Sequence, residues 1–363
     1  MPSLDRLGRV ALVLTAGTLV VLAFETLFFW VGFYIPLLSP NSTAGSFERT
    51  LSRVRATVAT APSGNGIVVL GDSRISSGFS AEVANRFGAG LTFINAATPG
   101  TTPRCWRFFV RALDLDNRHV RALVVPVDTL GDDDSALGSL DAWDHIEDLR
   151  YVIFHVGLMD IPWFARSIHY APNRRQALEW MLLRGRLESA DLQAFLVDPA
   201  QRVRELTHSG ESFPGANGRT ESLAGLRADF AHDSLAFPPS VPPPERAAIA
   251  HNVLTRANQN AQYAQYRREI LGDLIGRMRT AHIPVIIVRI PTRPLARPGT
   301  AESLGASLRE FSAGGGVRVV RAAAYEALER PEFFADEHHL NIEGRKHFSA
   351  LLARDVAAAV GAP

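Results

Sequence analysis

Ile67-Val68-Val69-Leu70-Gly71-Asp72-Ser73-Arg74 is a short apolar run that stops on a turn-forming Gly-Asp-Ser. Four consecutive apolar residues bounded by turn formers match a strand buried on both faces. Similar runs follow at Leu91–Ile94, Ala122–Val127, Pro284–Ile290 and Val317–Val320. Helical patterns separate them at Pro103–Leu115, Asn258–Arg279, Glu302–Phe311 and Ile342–Val360. Buried strands alternating with helices predict an α/β domain, a parallel sheet with helices on both faces. A serine just past the carboxyl end of its first strand stands where open α/β sheets place ligands.

The alternation breaks between Val127 and Asn258. That interval holds a predicted helix (Arg174–Leu187), an aromatic patch (Tyr151–Phe164) and the breaker-rich Phe237-Pro-Pro-Ser-Val-Pro-Pro-Pro. A structureless loop of that length is implausible in a compact domain, so a mostly helical cap is expected at about 130–257. The Tyr151–Phe164 patch reads as cap core, with contact to lipid or an acyl chain as the alternative.

Upstream of the first strand, Val10–Leu38 is a long apolar stretch with aromatics in its later half, including Trp30 and Tyr34. About 20 apolar residues cross a bilayer. Arg6 and Arg9 precede the stretch and the next basic residue is Arg49. The positive-inside rule then puts residues 1–9 in the cytoplasm and the rest outside, with 10–38 as anchor, 39–65 as linker with a short helix, and 66–363 as the folded domain. A cleaved signal peptide fits less well, because Glu25 and a second apolar run follow Val10–Phe24 with no clear small-residue cleavage site. Glu25 is costly within a span, which points to a partner there or to a place near the interface.

The 363 residues are ample for a core, and 38 Lys+Arg against 37 Asp+Glu argue against a nucleic-acid partner. One cysteine, Cys105, excludes an intrachain disulfide and any multi-cysteine metal site. No metal or organic cofactor is implied.

Three segments carry chemistry. Ser73 follows the first strand. The second run leads into Asn95-Ala-Ala-Thr-Pro-Gly100-Thr-Thr102, where Gly100 could turn a backbone N–H into the same crevice and Thr102 could cap the next helix. Asp336-Glu-His-His339 precedes the last helix, so a carboxylate three residues from an imidazole could orient it to take a serine proton. His338 is the alternative base, disfavoured because Asp-x-x-His spacing belongs to His339.

Taken in order, Gly-Asp-Ser, Asn…Gly and Asp336-Glu-His-His-Leu-Asn-x-x-Gly344 resemble the SGNH/GDSL hydrolase superfamily over about residues 66–360, the insertion apart. The resemblance implies a flavodoxin-like three-layer fold, Ser73 as nucleophile, His339 as base, Asp336 as its orienter, and the N–H groups of Ser73 and Gly100 as oxyanion donors. It also implies an asparagine donor after the third strand, where this chain has Val127-Asp128-Thr129. A carboxylate at Asp128 would repel an oxyanion unless protonated. Asp72, Asp128 and Arg74 are therefore further candidates, Arg74 as a replacement donor or, alternatively, as a surface ion pair.

One anchor, a Gly-Asp-Ser-Arg start and an altered third block are similar to membrane-anchored SGNH-like envelope proteins, including relatives of teichoic-acid D-alanylation and polysaccharide-acetylation proteins. That likeness implies an extracytoplasmic esterase or O-acyltransferase on a bacterial inner membrane, acting on a glycan acyl ester. It also implies a membrane-bound O-acyltransferase partner that Glu25 and its helix could meet. The alternative is an inactive protein of the same fold that binds glycan or scaffolds such a complex. Gly131-Asp-Asp-Asp-Ser135 reads as a solvated turn, and Gly314-Gly-Gly316 as a turn rather than a phosphate loop.

Overall fold

The computed structural model describes residues 4–115, 118–134, 145–208, 219–255, 258–259, 261–296 and 303–361. It divides into two compact units, Met1–Arg49 with Ile146–Glu211, and Thr50–His145 with Ser212–Pro363.

The second unit is built on five parallel strands: β1 (Gly66–Val69), β2 (Thr92–Asn95), β3 (Val120–Val127), β8 (Val285–Arg289) and β9 (Val317–Val319), in the order β2-β1-β3-β8-β9. This is the flavodoxin-like order, with its topological switch at β1/β3. Between β3 and β8 lie the two-residue strands β4 (Asp133–Asp134) and β7 (Asn258–Gln259), paired antiparallel, and the hairpin β5 (Arg227–Asp229) with β6 (Ser234–Ala236).

Strand residues alternate between two buried faces. Ile67, Val69, Ala122, Val124, Ile286 and Val288 join a cluster with Phe348, Leu352 and Val356 of the helix Ile342–Val360. Val68, Leu123, Val125 and Ile287 are buried on the opposite face. Burial on both sides is why these strands are apolar throughout rather than alternating. The five strands fall within two residues of their expected places, and Ile342–Val360 is the expected helix.

Other boundaries shift for local reasons. The helix expected over Arg174–Leu187 is two helices, Ala171–Leu182 and Arg184–Leu187, broken at Leu183. The helix expected from Asn258 begins at Ala261 because Asn258–Gln259 pairs as β7. The helix expected from Glu302 runs Ala306–Ala313, and Glu302 itself lies outside the described residues. Ser135 of the acidic turn does too. Much of the expected cap belongs to the sheet unit: Leu223, Leu226, Val241, Ile249 and Val253 are buried in the sheet's own cluster.

The first unit holds the apolar helix and most of the remaining insertion. Gly8–Trp30 is long and apolar enough to cross a membrane, shorter than the 10–38 expected. The chain leaves the helix at Gly32, where φ is +89°, and Pro36 follows. Phe29, Tyr34, Leu38 and Ala44 are buried together against Phe154, Leu192 and Phe195. Within residues 39–65 the helix expected there runs Thr43–Thr60.

Glu25 begins a π-helical turn, Glu25–Trp30, and is 9% exposed. Both its carboxylate oxygens accept from the Gly185 N–H, at 3.2 and 3.1 Å. Glu25 thus has a hydrogen-bond donor within its own chain. Beside it, the Arg184 guanidinium lies 3.7 Å from the Trp30 ring centroid and donates to the Val156 carbonyl. Burial pushes the Arg184 pKa down to about 10, against the opposing charge of Glu25.

Candidate active site

Chain folding brings Ser73 and His339 together across 266 residues. β1 ends at Val69, and the Leu70 N–H pairs with the Val124 carbonyl. Gly71 makes the turn. A Cβ there would sit 2.4 Å from Ile75 Cβ, so a larger residue would push the following helix away. Asp72 caps that helix, Ser73–Gly78, by accepting from the Arg74 N–H at 2.9 Å. Ser73 is then the first helical residue, and its N–H points out of the helix end with no carbonyl four residues back to receive it.

The second motif loop is pinned to the same turn. The Thr98 N–H (3.0 Å) and Thr101 Oγ1 (3.2 Å) both donate to the Gly71 carbonyl. Gly100 lies between them with φ +79°, a conformation that favours glycine. Asn95 does not face the crevice. Its amide donates to the Ile75 and Phe79 carbonyls, tying down the end of the Ser73 helix.

The third segment is a closed loop. Phe334 bridges Leu340, the Ala335 N–H reaches the His339 carbonyl, and the Asn341 N–H reaches the Phe333 carbonyl. Asn341 caps the last helix through the Glu343 and Gly344 N–H groups and donates to the Glu332 carbonyl. A Cβ on Gly344 would lie 2.3 Å from the Phe333 oxygen. Leu340 packs against Gly78, joining this loop to the Ser73 helix. These contacts give Leu, Asn and Gly of the C-terminal motif structural reasons of their own.

Asp336 Oδ1 accepts the backbone N–H groups of His338 (3.0 Å) and His339 (2.8 Å). Its two oxygens lie 3.0 and 2.9 Å from His339 Nδ1. An ionised carboxylate only accepts, so Nδ1 carries the proton. His339 Nε2 is left to accept from Ser73 Oγ at 2.9 Å. Burial would raise the Asp336 pKa, but the hydrogen bond and charge of His339 and the two backbone donors outweigh it and hold Asp336 well below the usual carboxylate range. His338 instead pairs with Glu337 at 3.1 Å.

Arg74 is not a surface ion pair. Its side chain is 14% exposed and lies 2.6 Å from both Asp72 and Asp128. Burial opposes charge on Asp72, and the Arg74 charge and hydrogen bonds overcome it, leaving the Asp72 pKa lowered. Burial likewise opposes charge on Arg74, but Asp128 and Asp72 raise its pKa. Asp128 therefore stands at the site as an ion-paired member of an Asp-Arg-Asp cluster rather than as an unpaired anion.

Two supporting residues escaped the sequence reading. Asn252 Nδ2 donates to the carbonyls of Glu337 and of Thr292, the latter at 3.0 Å, anchoring the His339 loop. Arg219 pairs with Asp336. Neither lies in a motif, and only the fold brings them here. Asp336, His338 and His339 also offer ligand atoms within 4.8 Å of one another, the one such group among the described residues. A cation there would compete with the Asp336–His339 hydrogen bond.

No family model and no curated protein matches the chain. Among solved structures it is similar to a possible lipase from Chitinophaga pinensis DSM 2588, with 14% identity over 82% of this chain and 99% of that chain. The TM-score is 0.25. At that score the likeness carries no argument, and the chemistry of the site is read from its own geometry.

Proposed function

We propose that the chain is a membrane-anchored serine esterase or O-acyltransferase of the SGNH type, acting outside the cytoplasm on acyl esters of a cell-envelope glycan. The observation that carries this reading is the continuous line of hydrogen bonds from Ser73 Oγ through His339 to Asp336. Ser73 Oγ attacks the acyl carbonyl while His339 Nε2 takes its proton. Asp336 stabilises the imidazolium that forms. The N–H groups of Ser73 and Gly100 donate to the oxyanion. The intermediate collapses, His339 returns the proton to the leaving oxygen, and an acyl-Ser73 ester remains. His339 then deprotonates water, or a glycan hydroxyl supplied beside a membrane-bound O-acyltransferase, and Ser73 is released.

The test is intact-mass labelling of the full chain in detergent or vesicles with a fluorophosphonate. The expected result is one adduct, absent in Ser73→Ala and slowed in His339→Ala. Equal labelling of wild type and Ser73→Ala would overturn the assignment.

Asp128 favours a second reading. The third strand supplies a carboxylate where the resemblance implies an amide donor, which suits a non-catalytic protein that binds glycan or scaffolds an acyltransferase complex. On that reading folded protein is not labelled, and a Ser73→Ala/His339→Ala variant keeps its role in cells.

A further inference from the structure

Beyond the apolar helix, the first unit exposes large apolar side chains singly at Tyr170 and Val203 and as three adjacent pairs: Leu158 and Met159 (66% and 92% exposed), Leu182 and Leu183 (54% and 39%), and Leu196 and Val197 (67% and 78%). Scattered exposed leucines need no explanation, but these three pairs share a location. The Leu182 carbonyl accepts from Trp30 Nε1 at 3.3 Å, and Gly185, two residues past Leu183, donates to Glu25. Val156, two residues before Leu158, is bound by Arg184, whose guanidinium covers Trp30. Phe195, beside Leu196, packs with Leu192 on the cluster of Phe29 and Tyr34. Each pair thus lies within three residues of an atom or side chain that ties its segment to Glu25–Tyr34, where the apolar helix ends.

We propose that these three pairs form a collar that sits in the lipid at the outer face of the bilayer, around the emerging anchor. The inference rests on the anchor reading of Gly8–Trp30. Those 23 residues rise roughly 34 Å as a helix, against about 30 Å of hydrocarbon. Trp30 then marks one boundary, and Glu25 lies roughly 7 Å inside it. A backbone hydrogen-bonded to Glu25 is drawn to that depth, and Leu182–Leu183 with it. Leu27, Val31 and Phe33 are also exposed where the anchor ends, so apolar surface is present on the stretch that leads to the collar. Residues 146–208 hold eight Arg and eight Asp+Glu, so the attachment is apolar rather than a charge attraction to anionic headgroups.

The experiment uses the full chain reconstituted in phosphatidylcholine vesicles. Single cysteines replace Met159, Leu183 or Val197 and carry an environment-sensitive NBD label. Cys105, which is buried, stays in place, with unsubstituted protein as labelling control. Val20→Cys reports the anchor itself, and Arg175→Cys reports an exposed polar position of the same unit. Lipid spin-labelled near the headgroup should quench the three collar probes about twofold or more and leave the Arg175 probe unchanged, while lipid labelled deeper in the chain quenches the Val20 probe. Collar probes that behave like the Arg175 probe while the Val20 probe is quenched overturn the collar and leave the anchor standing. A Val20 probe that no lipid quencher reaches removes the anchor reading and the collar with it. Quenching of collar probes that appears only with anionic lipid overturns the apolar attachment.

Discussion

The Arg74 guanidinium lies 2.6 Å from the Asp128 carboxylate that follows the third strand, and the same guanidinium holds Asp72 beside the candidate nucleophile. One cation is therefore shared by two carboxylates next to Ser73. Arg74→Met leaves both carboxylates without their cation in a largely buried place. We expect a loss of about 3–5 kcal/mol. Adding Asp128→Asn to that background should recover part of it, and thermal unfolding of the three proteins measures both effects.

Asp336→Asn keeps an oxygen for the His338 and His339 N–H groups but can present the wrong tautomer of His339. Turnover of an ester substrate should fall about 10⁴-fold with the fold intact. Ser73→Ala and His339→Ala should not add: on the proposed mechanism the two side chains act as a unit, so the double variant is about as slow as either single one.

The depressed pKa of Asp336 also sets an acid limit. A carboxylate depressed in the folded state contributes its full stability above the unfolded value of about 3.9. That contribution is lost as pH falls below it toward the folded value. Wild type should therefore lose more stability than Asp336→Asn between about pH 5 and pH 2, as seen in melting curves across that range.

On the proposed mechanism Asn252 would act as a positioning residue, since it touches the carbonyls of Glu337 and Thr292 and not the reacting atoms. Asn252→Ala should slow fluorophosphonate labelling of Ser73 about tenfold, and Asn252→Asp should do no better, because a carboxylate cannot donate to those carbonyls. A change in melting temperature without any change in labelling rate would make the role merely structural.

Glu188 provides a pH test of the first unit. Burial, then the nearby Asp191, push its pKa up to about 7, against the opposing Arg150. A raised carboxylate costs stability as pH climbs from the unfolded value of about 4.3 to the folded one, with the full cost above pH 7. Glu188→Gln should flatten that slope and add on the order of 3 kcal/mol at pH 8, measured by chemical denaturation of the full chain in detergent.

Gly185 meets Glu25 and Phe29 too closely for a side chain: a Cβ would lie 2.8 Å from Glu25 Oε2 and 2.7 Å from the Phe29 ring. Gly185→Ala should cost about 1–3 kcal/mol and raise proteolysis of the Arg184–Leu187 region. Alanine at Gly276, which has open space around it, is the matched control.

The strands, the last helix and the motif segments at Ser73, Gly100 and Asp336–His339 were legible in the residues themselves. Each depends on local rules: apolar runs between turn formers, a cap, an i to i+3 spacing. The same rules placed an apolar span near the N-terminus. They could not say that Arg74 would turn inward between two aspartates, since the choice between solvent and a buried pair depends on where Asp128 lands, 54 positions later in the sequence. Nor could they assign Glu25 to Gly185, Asn252 to Glu337 or Arg219 to Asp336, contacts made across 160, 85 and 117 positions. Hydrophobic patterning determines which segments are buried, because burial acts through area and needs no particular partner. A charge or amide is directional and must be met by a specific group, so its partner is decided only when the tertiary structure closes.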